Sequence, residues 1–130
     1  MPQSSEPPAV RLARAHVAAW SRKNWDHARS MLAPDVHVIA TSTNPALPHT
    51  DLTGADEYMK GLVEFAEPIV PGSVRELASF GDDRNALLMM DLRVAGGPFG
   101  AGAVAPCARL YLVEEDKIKT ELVIFYVGEA

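Results

Sequence analysis

Cysteine is almost absent from this 130-residue chain. Cys107 stands alone, so no intrachain disulfide can form, and a reducing cytoplasm is the expected compartment. Basic residues are the minority, 12 against 17 acidic, for a formal net charge of −5. Lys and Arg form no run or patch, which argues against nucleic acid as a partner. No apolar run approaches the ~20 residues that a membrane span requires. The opening "MPQSSEPP" has neither a basic start nor an apolar stretch, so neither a signal peptide nor a membrane partner is expected. His37 with Asp35 and His49 with Asp51 lack the spacing of a metal site. The Gly-rich "AGGPFGAGA" joins two strands and opens no helix, so it is no phosphate cradle. Neither metal nor cofactor is expected.

What is present is an ordinary globular mix, 48% apolar and 22% charged. At this length one domain buries roughly 65% of its unfolded surface, enough for a core without staples. Residues 1–7 read as a flexible tail and 8–130 as a single domain. In "PPAVRLARAHVAAWSRKNW", Val10, Ala13, Val17 and Trp20 recur at helical spacing, with Pro8 in the first turn. "NWDHARSML" predicts a short helix capped by Asn24 and ended before Pro34. "DVHVIATS" predicts a strand and "TNPALPHTDLTG" a loop. "TGADEYMKGLVEFAEPI" predicts a third helix, with Thr53 as N-cap and Pro68 as its stop. Four strands in hairpin order follow: "SVRELASF", "NALLMMDLRV", "VAPCARLYLV" and "KIKTELVIFYV". Helices followed by a meander predict an α+β fold, a curved antiparallel sheet wrapped around a long N-terminal helix. The resulting cone has an open mouth, a concavity suited to a small molecule.

This order of elements resembles the nuclear-transport-factor-2-like superfamily, with its cystatin-like cone, from about Val10 to Tyr126. "AAWSRKNWDHARSMLAPDV" is similar to the family's opening helix pair, "LTGADEYMKGL" to its third helix, and "APCARLYLVEEDKIKTELVIFY" to the last hairpin of ketosteroid isomerases. The superfamily also holds SnoaL-type polyketide cyclases and limonene epoxide hydrolases, and the SnoaL-like and isomerase-like branch is the nearest in pattern. The resemblance places the isomerases' tyrosine, neutral-acid aspartate and general base at His16, Ala108 and Ala40, so that mechanism is not kept. The epoxide hydrolases' Arg-Xaa-Asp is met by the reversed Asp91-Xaa-Arg93, and their last aspartate by Val123.

Glu121 is the one carboxylate inside "TELVIFYV", and the resemblance turns it inward with Val123 and Phe125. In an apolar cavity, desolvation should raise its pKa and fit it for proton transfer. Asp91 and Arg93 point the same way in a strand. The isomerase alignment turns them inward as a proton group and an oxyanion or carboxylate holder. The epoxide hydrolase alignment turns Met90, Leu92 and Val94 inward instead. His16 is a second-rank hydrogen-bonder. Trp20, Ala40, Met59, Met89, Ala108, Val123 and Phe125 are expected to line the cavity. Arg109, Tyr111, Cys107, Ile124 and Tyr126 are expected on an apolar outer face that a second copy covers, making a homodimer. Function is thereby expected in one of two classes: acid–base cyclisation, isomerisation or hydrolysis of a small, largely apolar molecule, or non-catalytic binding or dimerisation.

Overall fold

The computed structural model describes residues 6–43, 49–95 and 104–126. Most of the proposed tail, the centre of the Pro-rich loop and nearly all of the Gly-rich loop lie outside the described residues.

Helix α1 runs Pro8–Ser21 with proline at its start, as the sequence predicts, and buries Ala9, Val10, Ala13, His16, Val17 and Trp20 along one face. A short helix α2, Trp25–Ser30, begins at Asn24, whose side chain accepts a hydrogen bond from the His27 backbone N–H. Strand β1, Leu32–Ser42, starts before Pro34 rather than after it, and β2, Thr50–Thr53, occupies part of the expected loop. Helix α3 spans Ala55–Ala66. Its N-cap is Gly54 and not Thr53: at φ +97° the chain turns through a conformation that glycine tolerates and threonine does not. Thr53 is spent on the β2 ladder.

Four long strands follow: β3 Arg75–Gly81, β4 Asn85–Arg93, β5 Val104–Glu114 and β6 Lys117–Phe125. The sheet order is β2-β1-β6-β5-β4-β3, curved and unclosed. Every pairing is antiparallel except β1 with β6. The sequence reading had no parallel pair, because β1 and β6 are separated by most of the chain. The fold is the expected α+β architecture of the nuclear-transport-factor-2-like and cystatin-like folds.

The helices cover one face of the sheet. Helix α1 lies chiefly across β4, and α3 lies against β1 and β2. Close approach fixes the start of α1: a Cβ on Gly81 would meet the Asn85 carbonyl oxygen at 2.4 Å and a Val10 methyl at 2.7 Å. Leu88, Met90 and Leu92 from β4, Tyr111 and Val113 from β5 and Ile118 from β6 complete the core beneath the helices. No described helix is long and apolar enough to cross a membrane.

Candidate functional site

The site is built from β-strand alternation. Val38 and Ala40 of β1, Arg109 of β5, and Glu121, Val123 and Phe125 of β6 all face the helices. Tyr58, Leu62 and Phe65 come down from α3, three and four residues apart and hence on one helical stripe. Between them lies a cavity of about 230 Å³. Its walls are apolar, and Thr41, Ser42 and Thr50 are among its remaining lining residues.

Its polar group is a buried ion pair. Arg109 Nη1 donates to Glu121 Oε2 at 2.7 Å, with side chains only 3% and 1% exposed. The Tyr58 hydroxyl donates to the other carboxylate oxygen, Oε1. The guanidinium lies over two rings, 4.9 Å from the centre of Trp20 and 5.1 Å from that of Phe65. Such stacking suits the planar, weakly hydrated arginine cation. His16 is fully buried and meets the Tyr58 ring edge-on at 5.8 Å.

Burial alone would push the Glu121 carboxyl up. Arg109 opposes it most strongly, followed by His16 and by the hydrogen bonds from Tyr58 and Arg109, and the pKa ends below its ordinary value. The expectation of a raised pKa is therefore corrected: a cation that the sequence reading turned outward sits against the carboxylate. Burial lowers His16 to about 4, the Glu121 charge opposing only in part. Burial first, then the Glu121 charge, hold the Tyr58 and Tyr111 hydroxyls well above their usual range. Near neutral pH the cluster therefore contains one anion, one cation and neutral His and Tyr side chains.

Glu121, Ala40, Val123 and Phe125 line the cavity. Trp20 stacks against the guanidinium and Met59 packs in the core, and neither lines the cavity. His16 borders the polar cluster without lining the cavity. Four other candidates are displaced. Asp91 and Arg93 lie on the outer sheet face, because Met90 and Leu92 of the same strand point into the core. Asp91 is paired there with Arg75 of β3, Oδ2 to Nη2 at 2.7 Å. Met89 shares that face and is 43% exposed, and Ala108, its partner across β4–β5, follows it. Neither wall residue reaches the cavity. In exchange Arg109, Tyr111 and Cys107 turn inward.

Arg109 and Tyr58 were missed by the sequence reading. A regular hairpin about "EEDK" would set Leu110 opposite Glu121. The observed ladder carries an irregularity between Leu112 and Val113 and sets Tyr111 opposite Glu121. A single extra residue of this kind reverses every side chain upstream. Alternation gave no signal for Arg109: it shares its parity with Cys107, Tyr111 and Val113, but the other parity carries Leu110 and Leu112 and is apolar as well. Tyr58 lies at helical spacing from Leu62 and Phe65. Among the described residues no group of three or more His, Cys, Asp or Glu side chains could hold a metal ion.

Comparison with known proteins places this geometry in a family. The crystal structure of a protein from Kribbella flavida superposes with a TM-score of 0.76 at 27% identity, over 91% of this chain and 86% of that one. A protein with a ketosteroid isomerase-like fold from Catenulispora acidiphila, in complex with trimethylamine, gives 0.67 at 15% identity over 86% and 82%. An LEH-like epoxide hydrolase of M. tuberculosis gives 0.67 at 14% identity over 91% and 82%. The last two likenesses concern the fold alone. No curated protein matches. The model of the SnoaL-like domain matches residues 13–121, most of the chain, and the chain belongs to the SnoaL-like family of the nuclear-transport-factor-2-like superfamily.

Proposed function

We propose that this SnoaL-like domain binds a small, largely apolar molecule in its cone cavity, with the ligand's polar group turned toward Arg109 and Glu121. The observation that carries this reading is a desolvated ion pair at the edge of an apolar space. A buried pair is weak evidence for stability, because well-packed apolar residues of similar volume often serve a core better. Its presence is accounted for if the cavity receives a molecule with one polar end. The space matches about eight water volumes at ~30 Å³ each, which fits a compact bicyclic molecule. Glu121 is ionised and His16 neutral near pH 7, so any proton transfer here has Glu121 as acceptor and not as acid. Isomerisation, cyclisation or hydrolysis would each have to begin from that state.

Indane, an apolar bicycle, is a direct probe. It should raise the melting temperature of the wild-type protein in a saturable way. In Ala40→Trp, which fills the cavity from β1, the shift should disappear. An equal shift in both proteins would place binding elsewhere and overturn the reading.

We also propose that a second copy of the chain covers the outer sheet face. Phe80, Leu87, Leu110 and Leu122 form one cross-strand row over β3 to β6, and Ala78, Met89, Ala108 and Ile124 form the next. No charge interrupts the two rows. The Arg75–Asp91 pair borders them, its charges already matched within the chain. Such a patch is self-complementary across a two-fold axis, since apolar rows meet apolar rows and no like charges are opposed. Analytical ultracentrifugation at micromolar concentration should give a dimer that Leu110→Glu converts to monomer. A wild-type monomer would remove the proposal.

A further inference from the structure

The polar atoms around the ion pair are unequally satisfied, and the inequality has a sign. Glu121 accepts on both oxygens, from Tyr58 and from Arg109. The single Tyr58 O–H is thereby used. Among the described residues, Arg109 Nε, Trp20 Nε1, the Tyr111 hydroxyl and both His16 nitrogens are buried without a hydrogen-bond partner. Arginine and indole nitrogens can only donate. Buried donors without acceptors are uncommon in folded proteins and mark a place where an acceptor belongs. Arg109 belongs to both groups: it lines the cavity, and its Nε lacks a partner.

Charge narrows the class further. Arg109 and Glu121 cancel, and among the described lining residues neither has another charged neighbour in the cavity. A ligand carboxylate would add an uncompensated anion to a desolvated site. A ligand ammonium would add an uncompensated cation beside the Arg109 guanidinium. A neutral oxygen acceptor incurs neither cost.

We infer that the ligand's polar end is an uncharged oxygen acceptor, of the ketone, ester, lactone or ether type, received by the Arg109 guanidinium. The ring system then lies along Phe65, Leu62 and Val123. This inference rests on the proposed apolar-ligand reading and refines it.

A shape-matched series tests it: indane, 1-indanone, 2-aminoindane as the ammonium, and indane-2-carboxylate, titrated into the wild-type protein by calorimetry at neutral pH. 1-Indanone should bind about tenfold more tightly than indane, the size of one well-formed hydrogen bond to a charged donor. The ammonium and the carboxylate should bind more weakly than indane. The same 1-indanone titration into Ala40→Trp should show no binding, which ties the affinity to this cavity. Indane binding as tightly as 1-indanone would overturn the inference and leave the apolar-ligand reading standing. Tightest binding of the ammonium or the carboxylate would overturn it in favour of a charged ligand. If no member binds, indane included, the apolar-ligand reading fails and the inference with it.

Discussion

Residue by residue, the site is a set of groups held in the charge states that burial and neighbours dictate. Arg109 and Glu121 remain charged because each supplies what the other lost on leaving water. His16 has no such partner within hydrogen-bonding distance, so burial wins and lowers its pKa to about 4. Stability follows with a definite sign. An unfolded histidine takes up its proton near pH 6.5, whereas the folded one resists until about pH 4. Between those values the unfolded state binds more protons, so stability falls as pH falls. Over this window the loss from His16 alone comes to about 3 kcal/mol. Urea unfolding between pH 7 and pH 4 should show the decline in the wild type and a much flatter profile in His16→Leu. The same slope in both would show that His16 is not the group responsible. Glu121, whose folded pKa is depressed, contributes at the acid end, where its stabilisation is lost as pH falls below the ordinary carboxylate range.

At the scale of elements, the sequence was most legible where one periodicity dominates. Helix α1 announces itself through Val10, Ala13, Val17 and Trp20, and α2 through Asn24. Glu121 faces inward with Val123 and Phe125, as the resemblance to the isomerases' last hairpin implies; parity alone could not choose, since Leu122 and Ile124 on the other face are apolar too. Strands β4 and β5 were less legible because both of their faces are apolar. In β4, Leu87 and Met89 face outward while Leu88, Met90 and Leu92 face inward. In β5, Leu110 and Leu112 oppose Tyr111 and Val113 in the same way. Alternation then carries almost no information, and facing depends on register. Register in turn depends on the irregularities at Glu76/Ala78 and Leu112/Val113, which no residue type marks. Asp91 and Arg93 looked like a working pair because charge in an apolar strand is rare. On the outer face Asp91 instead meets Arg75 on an edge strand, where an ion pair and a charged neighbour limit further strand addition. Strand β2 and the parallel β1–β6 ladder were out of reach for a different reason: both are tertiary facts about segments with weak local signals.

For the molecule as a whole, the sheet has one face under helices and one apolar face, and the two proposals fall on opposite faces. The inner surface holds the cavity, whose polar group draws one residue from β5, one from β6 and one from α3. No single element could assemble it, which is why the site is specified by the fold more than by a motif. The proposed association would use the outer surface, so occupancy of the cavity and pairing of the sheets would not compete for residues. The proposed occupant of the cavity is a small apolar molecule beside the Arg109–Glu121 pair. Intermolecular nuclear Overhauser effects between 1-indanone and methyl-labelled protein test this most directly. Contacts from the ring protons to the methyl groups of Val38, Leu62 and Val123 are the predicted result. Contacts to the outer-face methyls of Leu110 and Ile124, with none to the cavity, would contradict it.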